Sequence, residues 1–271
     1  MRFRSSIAIA FLAGSTLASP LPAEQPAQPA NDLVRQVVDH ELHSQDNTLW
    51  HYRAKTVQSG TVDLVNVVET KRVDLRHVYR RNGNPLTPDQ RKSDDEVMER
   101  LISSPREQQK QQRTQEQDKR QTMDMLALLP KALLFDYAQR NGNIVKLNFH
   151  PNPAFNPPSR EAHVFHEMEG QLTVDEEQKR IVEFSGHLIR SVRFGFFLGH
   201  LDQGGTFAVH QEQVAPNHWE LTRLKVNMNG KALFFKTINV QQNEERSDFK
   251  QVPNTLTLSQ AAELLRKSDT D

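Results

Sequence analysis

Hydrophobic and polar residues alternate along most of the second half of this chain. The runs Ala162–Val174, Lys179–Ile189, Val192–Gly199, Thr206–Gln213, Trp219–Met228 and Lys231–Val240 each read as a strand. Turn formers separate them: Asp175-Glu176-Glu177-Gln178, Gln203-Gly204-Gly205, Ala215-Pro216-Asn217 and Asn229-Gly230. Strands that follow one another this closely pair with their sequence neighbours, which predicts an antiparallel meander. Five more runs carry the same signal earlier: Leu49–Gln58, Thr61–Thr70, Arg72–Arg81, Ala132–Gln139 and Ile144–His150. The dipeptide Asn-Gly occurs at 82–83, 141–142 and 229–230, each beside a strand run. It suits a type I′ hairpin turn, which needs φ > 0 at both central residues.

The period changes in three places. Leu33, Val34, Val37, Val38 and Leu42 form one helical stripe over Asp32–His43, with Asn31 or Asp32 available as cap. Thr87-Pro88-Asp89-Gln90 is a capping box with proline at the first helical position, and Val97, Met98, Leu101 and Ile102 follow on one face. From Arg106 to Gln121 no residue is apolar, so that stretch reads as an exposed helix or a flexible tether. Met123, Met125, Leu126, Leu128 and Leu129 then restore an apolar turn or two before Pro130. Thr257-Leu258-Ser259-Gln260 opens a short helix near the end.

The expected fold is α+β: a large curved antiparallel sheet of about eleven strands with an N-terminal helix and a helical insertion at 87–129. Residues 31–252 form a single domain on this reading, and 253–271 a C-terminal helix and tail. Residues 1–18 have the charged start, apolar core and small-residue site of a secretory signal peptide, cleaved near Ala18. Residues 19–30 form a disordered Pro/Ala-rich linker. The periplasm is the expected location, with no membrane anchor on the chain itself.

Charge and composition remove several function classes. Losing Arg2 and Arg4 with the leader takes 34 basic residues to 32 against 34 acidic ones, so nothing draws the protein to nucleic acid. With 0 cysteines, disulfides, thiolate metal sites and a cysteine nucleophile are out of reach. His40 and His43 share a helix face but lack a third ligand at suitable spacing, and His163 and His166 fall on opposite faces of a predicted strand. Gly204-Gly205 is a hairpin rather than a phosphate loop, Ser185-Gly186 lies inside a strand run, and Asp175, Glu176 and Glu177 read as solvated turn formers. No catalytic residue, metal or cofactor is expected.

The apolar stripes carry more. One parity of Val192–Gly199 holds Val192, Phe194, Phe196 and Leu198, and similar stripes occur at Phe207/Val209, Trp219/Leu221 and Phe234/Ile238. The solid core of a sandwich would use the same alternation. The insertion favours a groove instead, because its apolar ends need something to cover. The candidate lining of such a cavity is Trp50, Val67, Leu126, Leu129, Phe135, Phe184, Phe194, Phe196, Phe207, Trp219 and Phe234.

In its order of elements the chain resembles the periplasmic lipoprotein-carrier superfamily that includes LolA and the sensor regulators RseB and MucB. The segments Glu169–Asp175, Arg180–Gly186, Trp219–Leu221 and Asn229–Lys231 look like that family's hairpin strands. The resemblance implies an unclosed β-barrel with helices over its concave side. It implies a cavity that takes acyl chains, and a cavity arginine that Arg53, Arg193 or Arg223 could supply. The partner would be a lipoprotein or a lipid acyl chain. The alternative is a sensor or scaffold that binds an envelope protein, with Arg106–Gln121 as a docking arm. An exported enzyme comes last.

Overall fold

The structure is a computed structural model and describes residues 28–268 except 45, 59, 194–198 and 233–235. The leader and most of the linker therefore lie outside the described residues. Helix α1 (Ala30–His43) is followed by strands β1 (Leu49–Gln58), β2 (Thr61–Val68), β3 (Leu75–Arg81) and β4 (Asn84–Pro85). Helices α2 (Pro88–Ser103) and α3 (Pro105–Ala132) come next, then β5 (Leu133–Asn141) and β6 (Ile144–Pro151). A 3-10 helix (Glu161–Glu167) precedes β7 (Met168–Asp175), β8 (Arg180–Leu188), β9 (Val192–Arg193) and β10 (Gly199–Leu201). The chain closes with β11 (Thr206–Ala215), β12 (His218–Ala232), β13 (Lys236–Val252) and α4 (Leu258–Ser268).

All 13 strands belong to one antiparallel sheet with the order β4-β3-β2-β1-β13-β12-β11-β8-β7-β6-β5. Strand β10 continues the β11 side of β12, and β9 pairs with β10. The sheet is not closed: β4 and β5 are its two edges. The expected α+β fold with a large unclosed antiparallel sheet is therefore what the chain adopts. Its centre is not a pure meander, because β1 pairs with β13 from Leu49↔Val252 to Gln58↔Gln242.

Local chemistry explains where the elements begin. Thr87 and Gln90 form the reciprocal capping box of α2, with Pro88 at its first position. Thr257 and Gln260 do the same for α4. Helix α1 starts after Pro29 without a side-chain cap. Asn31 is used otherwise, donating to the carbonyls of Pro130 and Leu133 and accepting from the Phe135 N–H. It ties the helix to the end of α3 and the start of β5.

Several boundaries differ from the expectation. Residues 161–167 are not strand. Strand β6 stops at Pro151 and its last pairing with β7 is Phe149↔Gly170, so this segment has no neighbour to pair with. Ser159 accepts from Ala162 N and starts a 3-10 turn instead. Only Asn82-Gly83 has both residues at positive φ, as type I′ requires. In the β5–β6 hairpin the central pair is Gly142-Asn143 with only Gly142 at positive φ, the II′ pattern. Asn229-Gly230 is no turn at all; it lies inside β12, paired with β13 and β10. A Cβ at Gly230 would strike the His200 carbonyl, so glycine is needed for the close approach of β10. Strand β13 runs on to Val252, through polar residues that carry little strand signal.

Three apolar clusters hold the sheet. On its inner face, Leu33, Val34, Val37 and Val38 of α1 pack with Leu147, Leu172 and Val174, and Leu129 and Ala132 of α3 join them. On the outer face at the other end, Met98 of α2 and Ala261, Ala262 and Leu265 of α4 cover Val68 and Leu75. Trp50, Tyr52, Ala54, Val65 and Val67 form the third, with Phe249 stacked on Tyr52 at 5.2 Å.

A candidate apolar ligand hollow

Helix α3 spans 28 residues, and its apolar last turns do not fill the space beneath them. Between α3, the 3-10 helix and the inner face of β7, β8, β11 and β12 lies a hollow of about 580 Å³. Met125, Leu126 and Leu129 form its helical roof, and Val164, Phe165 and Met168 one wall. Ile181, Phe184, Leu188, Phe207, Val209 and Met228 supply the sheet side. The polar members, chiefly Asp118, Gln121, Thr122 and Gln211, mark the rim, and the first three are exposed.

The register explains why the sheet side is apolar. Phe184 stands opposite Leu172 and Val209, and Phe207 stands opposite Gly186 and Val226, so one parity of four strands faces inward. An aromatic row crosses the floor, with ring centroids 6.1 Å apart for Phe135–Phe149, 5.1 Å for Phe149–Phe184 and 5.0 Å for Phe184–Phe207. It needs the facing glycines Gly170 and Gly186. A Cβ at Gly170 would come to 2.9 Å from Phe149, and one at Gly186 to 3.1 Å from Phe207. Glycine in a strand interior is the mark of such a close approach.

Glu41 pins the end of α1 to this floor. Its carboxylate accepts from the Arg180 guanidinium and the Ile181 N–H, each at 2.9 Å. Asp175 ends β7 by accepting from the N–H groups of Glu177 and Gln178, and it is buried rather than solvated, contrary to the turn-tip reading. Glu176 and Glu177 are held by Arg140 and Asn143.

Of the residues singled out from sequence, Leu126, Leu129, Phe184 and Phe207 meet in the hollow. Phe135 is buried in the core beside it, under α1 and α3. Trp50 and Val67 belong instead to the third cluster, and Trp219 turns its indole N–H to Gln178 at 3.0 Å. Phe194, Phe196 and Phe234 lie outside the described residues. Sequence reasoning missed Met125, Val164, Phe165, Met168, Ile181, Leu188 and Met228. The 3-10 helix that brings two of them, Val164 and Phe165, lies inside a run that reads as a strand. His163 and His166 sit on that helix as well, and residues three apart eclipse there, so they share one side. Among the described residues no group of three or more His, Asp or Glu gathers as a metal site.

Further along the inner face the lining turns polar. Arg246 Nε donates to Glu244 at 2.7 Å, and its guanidinium lies 5.1 Å from the centre of the Tyr52 ring. Arg53, Arg193 and Arg223 are not among the described residues that line the hollow. Glu69 accepts from the Trp50 N–H at 3.0 Å, and burial, aided by the negative charges of Asp74 and Glu220, pushes its carboxyl up to about 7. Burial also raises Asp74 and Glu220 above the usual carboxylate range. Helix α3 covers the edge of this sector with its glutamines. Gln115 donates to the Asp74 carboxylate at 2.9 Å and Gln111 to the Asp74 carbonyl at 3.4 Å. The stretch that carried no apolar residue is therefore neither tether nor wholly exposed.

No family model, no curated protein and no solved structure matches this chain.

Proposed function

We propose that this protein is a non-catalytic carrier or binder of lipid acyl chains or lipidated protein, acting in the periplasm. The observation that carries the reading is the unfilled hollow, whose walls are apolar side chains from α3, the 3-10 helix and four strands. Its volume of about 580 Å³ falls within the range of small-molecule sites, roughly 300–1,000 Å³. Each methylene moved there from water contributes on the order of 0.8 kcal/mol, so a fourteen-carbon chain has a ceiling of about 11 kcal/mol. Chain ordering reduces that, which suits a protein that must also let its cargo go. Helix α3 provides the release path, because its polar middle is held to the sheet by glutamine hydrogen bonds and its apolar end forms the roof. The leader-like N-terminus supports the compartment.

Native mass spectrometry and solvent extraction of protein purified without detergent test this reading. The expected result is a bound lipid in the wild type. The volume-filling substitution Val209→Trp should abolish it while the circular dichroism spectrum is kept. A wild-type chain that stays empty when offered fatty acids and lysolipids would overturn it.

A further inference from the structure

A second cavity, of about 500 Å³, lies outside the hollow and is lined by the 3-10 helix, by residues 190–193 and by Pro151 and Pro153. The two share no lining residue, and the buried side chains of Phe165, Met168, Leu188 and Val192 stand between them. What occupies one is therefore independent of what occupies the other.

Two walls of this pocket carry hydrogen-bond donors. Residues three apart eclipse on a 3-10 helix, so His163 and His166 face the pocket together. The Phe155 ring, 5.9 Å from that of His166, backs the second imidazole. The other donors, Arg190, Ser191 and Arg193, run from the end of β8 into β9. The Ile189 N–H donates to the Glu167 carbonyl at 2.8 Å and so fixes one wall to the other. Glu167, the one carboxylate among the lining residues, is committed to Arg190 Nε at 2.5 Å, which leaves other N–H groups of that guanidinium available. Ser191 Oγ accepts from Gln203 N at 3.2 Å, so its own O–H is left to donate. Arg193 makes no ion pair among the described residues. Two guanidiniums against one carboxylate leave one net positive charge when both imidazoles are neutral. The third wall, Pro151 and Pro153, has no N–H to offer and presents ring carbons instead.

These walls suit an oxyanion attached to an organic body. Guanidiniums grip phosphate through paired N–H groups, and the hydroxyl and imidazoles add single bonds. The volume falls within the roughly 300–1,000 Å³ of small-molecule sites, which is more room than a bare phosphate fills. We propose that this pocket binds a small, water-soluble phosphomonoester, with its phosphate among the arginines, Ser191 and the histidines and its carbon skeleton against the prolines. Calorimetric titration of the full chain with glycerol phosphate, glycerol and inorganic phosphate tests it. Glycerol phosphate should bind about tenfold or more tightly than glycerol, and inorganic phosphate should compete for the same site with lower affinity. The double substitution Arg193→Ala, His163→Ala removes two exposed side chains and should weaken glycerol phosphate about tenfold or more, with the thermal midpoint of the free protein unchanged. Glycerol phosphate that binds no better than glycerol, or equally well to the double variant, would overturn the site. Inorganic phosphate as tight as glycerol phosphate would overturn the organic ligand. Sedimentation with vesicles containing phosphatidic acid separates the remaining source of phosphate. Co-sedimentation that the double variant loses, without binding of glycerol phosphate, would overturn the soluble ligand in favour of a lipid headgroup.

Discussion

Glu69 illustrates how a single side chain can work against the fold that holds it. Its ordinary pKa of 4.5 rises to about 7, first through burial and then through Asp74 and Glu220. As pH rises from 4.5 the unfolded chain surrenders this proton first, so the folded state binds more protons and stability falls with pH. The loss is complete above about 7 and amounts to about 3 kcal/mol. Glu69→Gln keeps an acceptor for the Trp50 N–H without the charge. Urea unfolding should therefore have a flatter pH profile between 4.5 and 8, with a higher midpoint at pH 8 than the wild type. Parallel profiles would refute the assignment. Gly170 makes the opposite case, a residue whose absence of side chain is structural. Gly170→Ala should cost roughly 1–3 kcal/mol in thermal or urea unfolding, because the new methyl meets the Ser185 carbonyl and Phe149. Neither effect was readable beforehand. Glu69 sat at the end of an ordinary strand run, and Gly170 needed its cross-strand partner to be known.

Among the elements, those announced by local chemistry were legible and those defined by partners were not. The capping boxes at Thr87 and Thr257 placed α2 and α4, since the hydrogen bonds that start a helix are made within four residues. Thr87→Ala should cost about 1 kcal/mol, checked by thermal unfolding. The second half of β13 leaves little trace, because Gln241–Asp248 is polar and becomes a strand only through its neighbours β1 and β12. The run from Ala162 shows the converse: Met168–Val174 pair as β7, but residues 162–167 have no strand to pair with and turn as a 3-10 helix. Helix α3 joins the two cases. Its apolar stripe predicted a cover, and that cover is where Leu126 and Leu129 lie, but nothing in the glutamine run announced Asp74 as its partner. Hydrogen exchange should find the exposed middle of α3 opening well before the central strands β1, β12 and β13. Equal protection would argue against its being the movable part.

At the scale of the molecule, the class of fold and the unclosed sheet followed from strand count and short turns. The order of strands did not, since pairing across 200 residues leaves no local trace. The edges are managed by other means. Strand β4 has only two residues, and β5 carries Asp136 and Arg140 while Tyr137 is tied to the Gln28 carbonyl. The join of β1 with β13 has a consequence for how the protein is made. The middle of the sheet is built from the first strand and the last, so a growing chain carries β1 with one bare flank until almost everything else has been synthesised. A ribosome that stalls before residue 236 releases a product with two sticky ribbons and no means of uniting them, which makes early termination far more hazardous here than a missing tail would suggest.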